Sequence, residues 1–307
     1  TTWSIWKTSC RMIIYDILNT HLVWKNVYTS SKNFNWELWL SLSILWISDY
    51  IPNCRGVLKT VFNAFKKSLF WKKIYDVIVL EYGIDHIWEM DFLLKIVKPD
   101  YAVVTKIDKV HSSQFGWKEI TASEKYKLLI NTKNTVFLNK DDDFSIEYSK
   151  KINSKKLFYT TAYTTDLEWL DLVWKNYVLE KVDNIPYVKY NFNYIWVWNL
   201  DLYSNLIWKE NIWYTNIWFV ILADLYQKFY QKDFFSENKS EIKMNFELQN
   251  SRFTTFKWIN NSILVDWTYN AAPFSMKTFI ENVKVLKREL YSDYKSKHPD
   301  LTDKDIA

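Results

Sequence analysis

The chain has 307 residues, 49% of them apolar, and its 40 basic and 35 acidic residues leave a net charge of +5. That length holds one large domain or two, and the mixed, mildly basic charge admits a polyanionic ligand while excluding the basic tail of a dedicated nucleic-acid binder. Two cysteines, Cys10 and Cys54, exclude a disulfide framework and fit a reduced, cytoplasmic setting, and no apolar run is long enough to predict a membrane span or membrane insertion.

The chain opens with TTWSIWKTSC. With Gly at Trp3 and Trp6 it reads T-G-S-I-G-K-T-S, a phosphate-binding loop running into a helix. Glycines let backbone N–H groups wrap phosphates, and the helix N-terminus favours the same charge. Lys7 would then reach the β/γ-phosphates and Thr8 would set its hydroxyl on Mg2+. Trp3, Ser4, Trp6, Lys7, Thr8 and Ser9 are the expected nucleotide-binding residues. Such a loop normally follows a strand, so the chain is expected to be a fragment with its first strand missing. No secretory leader is expected, since the opening is polar.

The substitution is not arbitrary. The chain holds 3 Gly and 18 Trp, whereas average usage of about 7% Gly would put roughly twenty in a chain this long. Trp3, Trp6, Trp36, Trp39, Trp88 and Trp208 all fall where turns favour a residue without Cβ. The expectation is that most Trp codons are UGA, read as glycine by the source. The opposing possibility is a genuinely Trp-rich protein with aromatic platforms for carbohydrate.

Downstream, KTSCRMIIYDIL predicts a helix, as does VLKTVFNAFKKSLF at 57–70. YDVIVLEYG is a continuous apolar run, the pattern of a buried parallel strand. DFLLKIV predicts a helix, DYAVVTKID a strand, ASEKYKLLI a helix, and TVFLN and KLFYTT further strands. Residues 177–200 read as β-hairpins, 217–231 as a helix, and DFFSENKSE as a polar linker. SILVD predicts a strand and PFSMKTFIENVKVLKREL a helix. Alternating strands and helices predict an α/β fold, a P-loop-type, mostly parallel sheet flanked by helices. The expected domains are residues 1–240, which bind ATP, and 241–307, the truncated start of a Rossmann-like α/β domain. Glu81, at the carboxyl end of its strand and facing the loop, is a hard-oxygen candidate for Mg2+.

The loop resembles the T-G-x-x-G-K-T-[ST] of the Mur ligases, ATP-dependent amide-forming enzymes of peptidoglycan precursor synthesis. NFNWELWLSLSIL is similar to the family's N-x-N-x-x-x-G-x-P-L, with Ser41 in place of Pro. Residues 79–116 resemble E-x-G-x-x-x-x-G-E, the K-P-D strand, T-N-I, His and F-G, with Lys106 and Asp108 departing from T-N-I-G. LVDWTYNAAPFSM looks like D-D-S-Y-N-A-N-P-x-S-M, with Ala272 in place of the second Asn, and points to the branch that adds D-Ala-D-Ala to UDP-MurNAc-tripeptide.

The resemblance implies ATP and two Mg2+ ions as cofactors. Thr8, Glu81, His111 and a carbamylated Lys125 would be metal ligands, with Lys127 the alternative by one register step. Lys7, His111 and Lys125 would be the catalytic set. Asn211 would lie near the adenine, with Tyr214 in the place of a second Asn and Asn216 two residues away. Arg252 would reach the phosphates, and Asp266, Tyr269 and Asn270 would contact ATP. Asn139, Asp141 and Asp142 resemble the family's N-x-D-D and read as loop-forming.

The implied course is phosphoryl transfer from ATP to a carboxylate, then attack of an amine on the acyl phosphate. The implied partners are UDP-MurNAc-peptide and D-Ala-D-Ala, without nucleic acid. The chain is expected to be a monomer and, alone, inactive as a ligase. Two other readings stand beside this one: another ADP-forming ligase of the superfamily, such as a folylpolyglutamate synthase or cyanophycin-type synthetase, and the carbohydrate-binding protein.

Overall fold

The computed structural model describes residues 7–30, 40–41, 44, 54–69, 75–105, 107, 118–160, 170–182, 185–194, 198–206, 209–237, 242–246, 254–257, 263–266 and 273–297. The chain divides into two compact units. The first comprises residues 1–173, 193–198 and 213–239, and the second comprises 174–192, 199–212 and 240–307.

In the first unit, helix α1 (Lys7–His21) leads to strand β1 (Val27–Thr29), which pairs in parallel with β2 (Val77–Val79), Val27 opposite Val77 and Thr29 opposite Val79. Between them in sequence lies helix α2 (Cys54–Leu69). A second parallel sheet follows in the order β3 (Tyr101–Val104), β4 (Thr135–Asn139), β5 (Lys155–Tyr159). All five residues of β4 are buried. A strand covered on both faces must read as a continuous apolar run, and TVFLN does. Helices α3 (Glu89–Ile96), α4 (Lys118–Ile130) and α5 (Asp143–Ser149) occupy the connections. The core gathers Ile13, Ile14, Ile17 and Leu18 of α1, Leu93 and Leu94 of α3, and Val103, Phe137 and Leu157 of the sheet. Helix α6 (Lys209–Tyr230) carries the buried run from Ile217 to Leu222.

Two details depart from expectation. The strand predicted over YDVIVLEYG is only three residues long, so Glu81 stands two residues past its end. Residues 234–237, predicted as polar linker, form a short helix, α7 (Phe234–Glu237). Its cause is apolar: Phe234 meets the His21 ring edge-on at 5.3 Å, and Asp233 caps the turn through Phe235 N at 3.2 Å and Ser236 Oγ at 2.6 Å.

Two tryptophans hold left-handed backbone, Trp24 at φ 68° and Trp88 at φ 78°. Trp24 is the third residue of a turn closed by Lys25 N donating to Leu22 O at 3.1 Å. Positive φ at that place is the mark of a turn that selects glycine. Trp88 caps the N-terminus of α3, immediately before Glu89. Both indoles are exposed, 93% and 59%, so neither is held there by burial.

In the second unit, β6 (Leu172–Val182), β7 (Ile185–Tyr194), β8 (Trp198–Ser204) and β9 (Ile242–Met244) form one sheet in that order, so the β-rich segment expected at 177–200 is made of neighbouring strands. Strand β9 runs parallel to β8, and the Asn205 amide bonds both Phe246 O and Phe246 N at 2.9 Å. Strands β10 (Thr254–Lys257) and β11 (Ile263–Asp266) are antiparallel. Helix α8 (Pro273–Lys297) starts on proline, whose missing N–H costs nothing in a first turn.

Candidate active site

Helix α1 begins at Lys7, and the dipole at a helix N-terminus favours an anion. Its apolar stripe, Cys10, Ile13, Ile14 and Ile17, is buried and fixes the rotation of the helix. Thr8 and Arg11, three residues apart and so neighbours on the helix surface, then meet the ends of β1 and β2.

There the Thr8 hydroxyl donates to Glu81 Oε2 at 3.2 Å across 73 residues of sequence. Arg11 Nε lies 3.4 Å from the same oxygen, with Arg11 0% and Glu81 2% exposed. Arg11 Nη1 donates to Thr29 Oγ1 at 2.7 Å and also to the Ser30 carbonyl oxygen. The Thr29 hydroxyl in turn donates to Val79 O at 3.0 Å. A continuous polar chain thus runs from α1 through the end of β1 to the exit of β2, with Thr8, Arg11, Ser30 and Glu81 buried and Thr29 half-buried. Burying two charges is costly, and mutual attraction with added hydrogen bonds offsets that cost.

The pair of a hydroxyl and a carboxylate oxygen, both buried and 3.2 Å apart, is a hard-oxygen donor set of the kind Mg2+ takes. The residues therefore fit a magnesium ion held by Thr8 and Glu81 beside a nucleotide at the α1 N-terminus. Among the described residues there is no cluster of three or more His, Cys, Asp or Glu suited to a metal.

Of the other expected residues, Lys125 lies in α4 and is 2% exposed. Lys127, its alternative, faces outward and is tied to Asp91 Oδ2 at 2.5 Å and Glu124 Oε2 at 2.8 Å. Burial works against its charge, but these two carboxylates win and raise its pKa. Ser9 is buried in α1. Lys7 opens α1, Asn211 lies in the first turn of α6 and Asp266 ends β11; the side chains of Lys7 and Asn211 lie outside the described set. Trp3, Ser4, Trp6, His111, Arg252, Tyr269 and Asn270 lie outside the described residues.

Asn139 and Asp142 do build a loop. The Asn139 amide reaches Thr105 O and accepts from Asp141 N at 2.9 Å, while Asp142 caps α5 through Phe144 N and takes Ile107 N at 3.0 Å. Cys10 is buried, and burial pushes its thiol up to about 12, which disfavours the reactive thiolate.

Sequence reasoning missed Arg11, Thr29 and Ser30. A signal existed for the first, since Arg11 is a lone cation inside the apolar stripe of KTSCRMIIYDIL. Thr29 and Ser30 carried none, because β1 is too short for its pattern to register.

A parallel α/β layout in which a helix threonine meets a carboxylate just past a strand end is a P-loop-type α/β fold. The chain belongs to the Mur ligase family: the profile of the Mur ligase middle domain matches residues 6–190. A curated relative, UDP-N-acetylmuramoyl-tripeptide–D-alanyl-D-alanine ligase of Borreliella burgdorferi, is 25% identical over 150 residues, 49% of this chain and 26% of the relative. Among solved structures, MurF from Acinetobacter baumannii superposes with TM-score 0.63 at 16% identity, over 92% of this chain and 52% of that one. MurF ligase from Thermotoga maritima in complex with ADP gives 0.57 at 19% identity, over 92% and 55%. The apo form of L. casei FPGS gives 0.58 at 14% identity, over 93% and 70%. The chain therefore spans about a quarter of the curated relative and about half of the MurF chains it matches.

Proposed function

We propose that the protein takes part in ATP-dependent amide-bond formation in peptidoglycan precursor synthesis, adding D-Ala-D-Ala to UDP-MurNAc-tripeptide. The observation that carries this reading is the Thr8–Glu81 contact, which joins the helix after the phosphate loop to the strand-end carboxylate. The α1 N-terminus and Lys7 would hold the ATP phosphates, and Thr8 and Glu81 would hold Mg2+. Bound there, the metal would supply charge neutralisation as phosphate and carboxylate approach. Lys125, buried in α4, is the residue to carry a carbamate, which would turn a cation into an oxygen donor. Arg252, Asp266, Tyr269 and Asn270 would reach the nucleotide from residues 241–307, read as the opening of a second domain. LVDWTYNAAPFSM favours D-Ala-D-Ala over other amine acceptors.

The test is calorimetry of ATP binding with and without Mg2+, on the chain and on Glu81→Gln. Binding that needs Mg2+ and weakens about tenfold or more in the variant is expected; ATP binding indifferent to both would overturn the site. A product assay on the full-length enzyme with D-Ala-D-Ala or glutamate as acceptor separates the two ligase readings.

We infer also that Trp24 and Trp88 stand where the natural chain carries glycine, as expected of UGA codons read as Gly. Their positive φ supports this, and so does the match of Trp88–Glu89 to the family's G-E. TGG codons at both positions in the gene would sink the idea.

A further inference from the structure

Helix α2 is amphipathic the wrong way round. Among its described residues Gly56 and Thr60 are the buried positions, while Leu58, Val61 and Phe62 are 70%, 61% and 65% exposed. Val57 and Phe65 extend the same stripe, at 40% and 61%. The spacing i, i+1, i+4, i+5, i+8 puts all five on one face. Single exposed apolar residues need no explanation, but a contiguous stripe on one helix marks a docking surface.

Charge says what docks. Between Asp49 and Asp76 the sequence contains no acidic residue and six basic ones, Arg55, Lys59, Lys66, Lys67, Lys72 and Lys73. This one segment holds more positive charge than the net +5 of the whole chain. Lys59 and Lys66, both exposed, sit on the helix edge next to Phe62. A protein partner would bring its own charges and select a mixed rim. A basic edge of one sign beside Leu, Val and Phe matches anionic head groups over acyl chains.

We propose that α2 docks the protein on an anionic lipid surface, lying in the plane of the interface with Leu58, Val61 and Phe62 in the acyl boundary and Lys59 and Lys66 among the head groups. No helix among the described residues is long and apolar enough to cross a membrane, and none is required. The inference rests on α2 alone and stands apart from the ligase reading.

The experiment is co-sedimentation of the chain with vesicles of phosphatidylglycerol and phosphatidylcholine, against phosphatidylcholine alone, at low and high salt. Binding to the anionic vesicles only, weakened by salt, is expected. Lys59→Gln and Lys66→Gln should each weaken it about fivefold. Leu58→Ser with Phe62→Ser should abolish it with only a small change in melting temperature, because both side chains are mostly in water already. No binding to the anionic vesicles, equal binding to both kinds, or indifference to the Leu58 and Phe62 changes overturns the proposal. So does self-association of the chain that those changes abolish, which would assign the stripe to a second copy.

Discussion

Arg11 and Glu81 form a fully buried ion pair, Nε to Oε2 at 3.4 Å, at the point where the first helix meets the exit of the second strand. Removing one partner leaves a bare charge away from water, at a cost of about 3–5 kcal/mol. Arg11→Met and Glu81→Gln should each lower the unfolding free energy by several kcal/mol in urea titrations. The double variant should lose clearly less than the two singles together, because it strands no charge. Additive losses would show that the two groups do not sense one another.

The Thr8 hydroxyl gives a sharper test of the metal role. Thr8→Ser keeps the oxygen and should retain Mg2+-dependent ATP binding. Thr8→Val keeps the shape, removes the oxygen and should weaken that binding about tenfold or more. Equal binding by the two variants in calorimetry would remove Thr8 from the site.

Trp24→Gly and Trp88→Gly, made in protein expressed from a standard-code gene, should each raise stability. The left-handed backbone costs a side chain with Cβ roughly 1–2 kcal/mol, and the freedom that glycine adds to the unfolded chain takes back roughly 0.5–1 kcal/mol. The balance favours glycine by a few tenths to about 1 kcal/mol, since neither exposed indole gives up much packing. A fall in the urea midpoint for both would contradict the backbone reading.

His21 sets a pH dependence. Burial lowers its pKa below the ordinary 6.5, against the rings of Phe219 and Phe234. The unfolded chain then binds the proton more readily than the folded one. Stability from this group is complete above pH 6.5 and falls as the pH drops from there through the lower folded value. His21→Gln should flatten that part of the stability curve measured by thermal melts; an unchanged slope would assign it elsewhere.

The middle of the first unit was legible because β3 and β4 are buried and so read as apolar runs; β4, with all five residues buried, is the clearest case. Thr8 and Glu81 were legible because the loop and the strand end each have a signature of their own. Their contact was not, since nothing local links residues 73 apart. Arg11 escaped notice because a cation in an apolar stripe reads as a solvated residue until a buried carboxylate is found opposite. The helix at 234–237 escaped because its two aromatic residues are outnumbered locally by polar ones, and the docking of Phe234 on His21 is a tertiary event.

The three-residue ladder of β1 and β2 is too short to hold its own alignment by backbone bonds alone. Thr29 opposite Val79 is the pairing that lets one hydroxyl serve both the guanidinium and the facing carbonyl. A chain that zipped these strands one step out of phase would turn that hydroxyl to the other side and deprive Arg11 of a partner. The Thr29 hydroxyl thus couples strand alignment to the placement of Arg11, and through it to the meeting of Thr8 with Glu81.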